Sequence, residues 1–143
     1  MEKYDSLKLE NQICFPLYAA AKEIVRKYKP FLDNLDLTYT QYITMMVMWE
    51  ERCITVTKLG EKLYLDSGTL TPLLKKLEQK HYISRQRSKE DERTLDVTLT
   101  SEGLALRDKA LAVPAGIGSC VKLTAEEAQC LYKILHKLLD TIE

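Results

Sequence analysis

No stretch of this sequence is long and apolar enough to cross a membrane, and its first twelve residues, MEKYDSLKLENQ, are charged and lack an apolar core. Neither a membrane span nor a signal peptide is therefore expected, and the cytoplasm is the default location. Metal-binding patterns are missing too. Cys14, Cys53, Cys120 and Cys130 include no CxxC pair, and His81 and His136 stand alone. No metal and no other cofactor is expected. Structural disulfides are rare in a reducing cytoplasm, so the four thiols read as free. Net charge is absent as well: 21 Lys and Arg balance 21 Asp and Glu. A charged partner must then be met by a local patch. There is no internal repeat and no low-complexity tract.

What is present fits one soluble globular domain. The chain has 143 residues, 45% apolar and 29% charged, enough for one real core and too little for two. Ile13, Leu17, Ala20, Ala21, Ile24, Val25 and Tyr28 recur at helical spacing. Pro16 suits a first turn, so the regular helix is expected to begin near 12–14, and Pro30 is expected to close it. A second helix over about 40–50 follows a capping box of Thr38 and Gln41; its run YITMMVMW is apolar on every face and reads as buried. RCITV is a short extended piece. TKLGEKLYL is a short helix with Leu59 and Leu63 inward. Asp66, Ser67 and Thr69 are candidate caps for TLTPLLKKLEQK, with Pro72 in or near its first turn.

The period then changes to two. YISRQR and TLDVTLT read as strands around the charged tip SKEDER. Thr100 caps a helix to about residue 113, PAGIGS breaks it, and Thr124 with Glu127 caps a last helix. Along that helix Ala128, Leu131, Leu135, Leu138 and Ile142 form one stripe. The expected fold is mainly α: a winged helix-turn-helix lobe with its connecting helix over 38–113, and N- and C-terminal helices, 1–37 and 114–143, forming a dimerisation region within a single 143-residue domain. The outer stripes lack a cover at home, and a symmetric second copy is the natural one.

The charge patch lies in this lobe. Residues 74–93 carry seven basic side chains, Lys75, Lys76, Lys80, Arg85, Arg87, Lys89 and Arg93, against four acids, a local +3 in a neutral chain. A run like this is more often a solvated face, but its place beside a helix-turn-helix favours double-stranded DNA as partner. Ser67, Thr69 and Thr71, short hydroxyl residues, open the recognition helix where free amides meet phosphates and base edges. Lys75 and Lys76 are assigned to phosphates. Arg85 and Arg87 on the hairpin are also expected to bind DNA, Arg93 at its tip is assigned to a minor groove, and Asp91 is placed to hold that guanidinium.

DERTLDVTLTSEG resembles the wing signature of the MarR family of dimeric winged-helix transcription regulators: an Asp-x-Arg, a strand and a Thr-x-x-Gly turn, here Asp91, Arg93, Thr100 and Gly103. LKLENQICFPLYAAAKE, KYKPFLDNLDLTYTQY and GEKLYLDSGTLTPLLKKLE are similar to the family's organic hydroperoxide sensors, and the resemblance spans all but residues 114–123. It implies a reactive thiol at Cys14 held by two tyrosines of the partner subunit, at the positions of Tyr28 and Tyr39. In the two-cysteine branch of that subgroup, a second cysteine in the region of Cys120 bonds the partner's reactive one. A hydroperoxide-released homodimeric repressor is the implied function, with no enzymatic role and no catalytic residues.

The residues themselves support part of that. A free cysteine is most often inert packing. Cys14, however, opens a helix, where the backbone dipole favours an anion, and Tyr18 lies one turn on along the same face. Eight tyrosines stand against two phenylalanines. Tyr28, fourteen residues on, is ~21 Å away along a straight helix, out of reach within one chain. Phe15 and Pro16 add an apolar wall suited to an alkyl hydroperoxide. Cys120 sits in AGIGSC, read as a flexible break, and Cys53 and Cys130 read as packing residues. Two rivals remain: a winged-helix regulator that binds a small phenolic ligand, and a thiol peroxidase using the same cysteine.

Overall fold

A computed structural model describes residues 2–142. Two short 3-10 turns, Asp5–Leu7 and Leu9–Asn11, lead into α1, Cys14–Asp33. Pro16 takes the third position of α1, where an amide has no helical partner in any case. Pro30 does not close this helix. It lies inside the last turn, which runs on to Asp33 under a Lys29–Asp33 ion pair of 3.1 Å; the helix forfeits there the hydrogen bond that an amide at position 30 would donate to the Arg26 carbonyl.

Leu35 and Leu37 anchor the next turn in the core, with Asp36 between them at φ 53°. α2, Tyr39–Glu51, starts on the expected capping box: the Gln41 amide donates to Thr38 Oγ1 at 3.3 Å, and the Thr38 amide to Gln41 Oε1 at 3.0 Å. Met45 and Met48 on α2 are sealed, but Met46 is exposed, so one face of this apolar helix lacks a cover in the protomer.

β1 (Cys53–Thr55), α3 (Val56–Leu63) and α4 (Ser67–Gln79) follow, then β2 (Ile83–Arg87) and β3 (Leu95–Leu99). The strands form an antiparallel sheet in the order β1-β3-β2, with Ile54 and Arg85 both opposite Val97. α4 begins two residues before the expected Thr69, because Asp66 is its cap, and Pro72 therefore falls in the second turn. Leu70, Leu73, Leu74 and Leu77 bury one stripe of it against Leu59, Ile83 and Val97.

The corner after β3 explains its Thr-x-x-Gly pattern. Thr100 Oγ1 accepts from the Gly103 amide at 3.0 Å and donates to the His81 carbonyl at 2.6 Å. A Cβ on Gly103 would collide with the Tyr82 carbonyl. The Trp49 indole donates to the Gly103 carbonyl at 2.9 Å, fastening α2 to the same corner.

PAGIGS is helix, not a break. α5 (Ser101–Ala110) stops at Leu111, and α6 (Ala112–Gly118) carries Pro114 in its first turn. Gly116 is the close approach between α6 and α1: a Cβ there would overlap the Phe31 ring. α7, Ala125–Thr141, starts on the capping box of Thr124 and Glu127. Its stripe stays uncovered, and no residue of α7 belongs to the buried core, whose members among the described residues lie between Leu32 and Val113.

Candidate nucleic-acid interface and thiol site

The leucine stripe of α4 turns the opposite face outward. Ser67, Thr69, Thr71, Lys75 and Lys76 are all exposed. The Asp66 carboxylate accepts from the Thr69 amide at 2.8 Å, and that hydrogen bond holds its pKa below the usual carboxylate value. Two residues of this face have no sequence signal of their own. Gly68 and Pro72, four apart, are exposed between the hydroxyls and the lysines, and their small side chains keep the front of the helix shallow. The phase of the leucine stripe marks them.

The hairpin basic residues divide into two groups. Arg93 is 93% exposed at the tip. Its backbone amide donates to Asp91 Oδ1 at 3.0 Å, and its Nε lies 3.4 Å from the same oxygen. Arg87 is exposed and donates to the Glu92 carbonyl at 2.8 Å. Arg85 is turned inward. Its Nη2 donates to Glu78 Oε1 at 3.2 Å, its backbone amide donates to Glu78 Oε2 at 3.0 Å, and its Nε is buried without a partner. The hydrogen bond from Arg85 is the main reason that the Glu78 carboxyl sits below its usual pKa. This pair pins the wing to α4, and a helix-to-strand pair seven residues apart leaves no mark in the sequence.

At the other end of the molecule, Cys14 is the first residue of α1 and is exposed. Tyr18, one turn on, is exposed, and an open depression at the start of α1 is lined by Lys8, Leu9, Glu10, Gln12, Phe15 and Pro16, without Cys14 itself. Tyr28 and Tyr39 meet edge-on, with ring centroids 4.9 Å apart and Tyr42 6.0 Å from Tyr28. Burial, then the neighbouring Tyr39, pushes the Tyr28 hydroxyl above its usual pKa; burial does the same to Tyr42. Tyr42 is thus a third member of the cluster. Cys14 and Tyr28 lie on one uninterrupted helix, about 21 Å apart along its axis.

Cys120 is exposed but not in a loose glycine segment. Its amide donates to the Ile117 carbonyl at 2.9 Å and its thiol to the Gly116 carbonyl at 3.6 Å, so it caps the end of α6. Cys53 and Cys130 are not packing residues within the protomer; both are exposed, Cys53 accepting from Thr98 Oγ1 at 3.5 Å. Among the described residues no cluster of His, Cys, Asp and Glu could hold a metal, and no helix is long and apolar enough to cross a membrane.

Comparison with known proteins places this arrangement. Residues 26–109 match the family model "Transcriptional regulator SarA/Rot". The organic hydroperoxide resistance transcriptional regulator of Bacillus subtilis is 48% identical over 98% of this chain and 95% of its own. The chain belongs to the SarA/Rot regulators, of MarR type. Among solved structures this regulator is similar to reduced AbfR bound to DNA, with 34% identity, coverage of 98% and 96%, and a TM-score of 0.80. A disulfide-formed AbfR matches at 35% identity over 96% and 94%, with a lower TM-score of 0.63. A cysteine-to-serine mutant of MarR from E. coli, complexed with operator DNA, gives 25% identity over 97% and 99%, at 0.83. The regulator has the winged-helix fold of these proteins.

Proposed function

We propose that this regulator is a homodimeric repressor of the cytoplasm that holds a double-stranded DNA operator while reduced and releases it when an organic hydroperoxide oxidises Cys14. The observation that carries the reading is the separation on α1: an exposed thiol at its start, a tyrosine cluster of Tyr28, Tyr39 and Tyr42 near its end, and an uncovered apolar stripe between them. Antiparallel pairing of two α1 helices covers the stripe and brings each Cys14 to the partner's tyrosines. Residues 1–37 and 114–143 then serve as the dimerisation region and 38–113 as the DNA-binding lobe. The similarity to a hydroperoxide resistance regulator, and to a protein solved both on DNA and in a disulfide form, supports the reading.

In this mechanism the Cys14 thiolate attacks the peroxide oxygen, the O–O bond breaks, and the products are a sulfenic acid and an alcohol. Tyr18, Tyr28 and Tyr39 position the thiol. Cys120 of one subunit attacks the sulfenic sulfur of the other, forming a disulfide and releasing water. The strained interface shifts the two lobes out of register with half-sites one helical turn apart. A hundredfold loss of affinity needs only about 2.7 kcal/mol. Ser67, Thr69, Thr71, Lys75, Lys76, Arg87 and Arg93 face the DNA, with Asp91 positioning Arg93 and Arg85 holding the wing against α4.

The test is a gel shift on a duplex selected from a random library by reduced wild-type protein. Cumene hydroperoxide should release wild type, while Cys14→Ser should bind and stay bound. Release of Cys14→Ser would move the sensor to another thiol. Oxidised wild type should run as a covalent dimer on a non-reducing gel, and Cys120→Ser should lose that band. Catalytic turnover of hydroperoxide with a recycling thiol would favour a thiol peroxidase instead, a use that leaves the exposed α4 and wing without a role.

A further inference from the structure

The two ends of the proposed mechanism, thiol site and recognition helix, lie on different elements, and α4 reaches the sensing side by few polar contacts. Its last turn approaches the α1–α2 connection across an open gap of about 380 Å³, lined by Asp33, Asp36, Thr38, Gln41, Lys76 and Lys80. One side chain spans it. Lys80, which caps the end of α4, donates to the Asp36 carbonyl, and its ammonium lies 3.3 Å from Asp36 Oδ2. Among the described residues this is the only hydrogen-bonded or ionic link between α4 and the segment joining α1 to α2.

Asp36 is an informative place for such a link. It holds a left-handed backbone, φ 53°, in a turn fixed on both sides by buried Leu35 and Leu37. Three residues earlier α1 ends at Asp33, and three residues later α2 begins at Tyr39, whose ring meets Tyr28. A change in how α1 sits on α2 at the tyrosine pair must therefore pass through this turn. The apolar faces of α2 and α4 also pack together, and the lysine adds to them a directional contact, to the Asp36 carbonyl and to a carboxylate that is 92% exposed. We infer that Lys80 is a positioning residue that couples the tyrosine cluster to the recognition helix: it ties the end of α4 to the Asp36 turn, so that an altered α1–α2 arrangement moves α4.

This inference rests on the redox reading above, and the experiment separates the two. Affinity for the selected duplex is measured by fluorescence anisotropy for reduced and hydroperoxide-treated protein, in wild type, Lys80→Met and Lys80→Arg. The readout is the ratio of oxidised to reduced Kd, which measures coupling between the sites rather than binding itself. Lys80→Met should lower that ratio at least fivefold while dimedone traps sulfenic acid at Cys14 as fast as in wild type. Lys80→Arg, which keeps the cation and its donors, should retain the ratio. A Lys80→Met protein that binds more weakly in both states by the same factor would make Lys80 a phosphate contact or a plain stabiliser, and would overturn the inference. A wild type whose ratio is one would overturn the redox reading itself.

Discussion

Met48 and Leu131 are both apolar residues in the middle of amphipathic or apolar helices, yet Met48 is fully sealed and Leu131 is 41% exposed. The difference holds for whole regions. Between Leu32 and Val113 the chain closes on itself, with helices packed against a small sheet and every buried apolar residue among those described inside these bounds. Outside them, Ile13, Leu17, Tyr18, Ile24, Ile134 and Leu138 face outward. The contrast teaches that one lobe is complete in the protomer, while the flanking helices leave an apolar face open, the face that the proposed second copy would cover.

Putting charge into the open region breaks the comparison most severely. Leu131→Asp with Leu138→Asp should leave the lobe folded, by its circular dichroism, but give a monomer in analytical ultracentrifugation. The melting temperature should then lose its dependence on protein concentration. A double mutant that remains a dimer would show that α7 is not the interface. In the closed region, Leu74→Ala should cost about 2–5 kcal/mol in urea unfolding, because Leu74 is only 1% exposed and its cavity has nothing to fill it. The same truncation at Ile13, 85% exposed, should change protomer stability by less than about 0.5 kcal/mol.

A further substitution sharpens the comparison within the lobe. Arg93→Ala removes a side chain that the fold itself does not bury, so stability should hold while DNA affinity falls by about 1–3 kcal/mol and the salt slope by about one. Unchanged affinity would take the hairpin tip off the DNA. The smallest effect belongs to Glu78. Its folded-state pKa lies below the unfolded one, so its pairing with Arg85 contributes stability above the unfolded carboxylate pKa and loses it as pH falls through the folded value. Glu78→Gln should lower the melting temperature at neutral and alkaline pH, where the pair is intact, and so flatten the acid-side decline.

What can be read in the sequence is local. The caps at Thr38, Thr100 and Thr124 need only a hydroxyl and a partner three residues on, and all three form. The order of strands and helices in the lobe follows from periodicity. The misreadings are questions of position and tertiary contact. Pro30 and Pro114 read as breakers, yet Pro114 falls in a first turn, where a missing amide costs little, and Pro30 in a last turn, where the helix runs on for three residues at the loss of one hydrogen bond. Gly116 reads as flexibility, but it is there because the Phe31 ring, 85 residues earlier, leaves no room for a side chain. At the candidate site, Cys14 and Arg93 stand out by type and position, and Tyr28 by the family resemblance. Tyr42, Glu78 and the Lys80–Asp36 link do not, because each acquires its role from a neighbour that only the folded chain supplies.

The chain has a single tryptophan, and its indole N–H is spent on the Gly103 carbonyl at the base of the wing. Its ultraviolet emission therefore reports one corner of the molecule. Loss of that corner, whether by heat, urea or a side chain forced onto Gly103, exposes the indole to water and reddens the spectrum. Separation of the proposed dimer at α7 should leave the same indole in place. Intrinsic fluorescence and sedimentation, read on one sample, thus distinguish a lobe that has opened from a pair that has merely come apart.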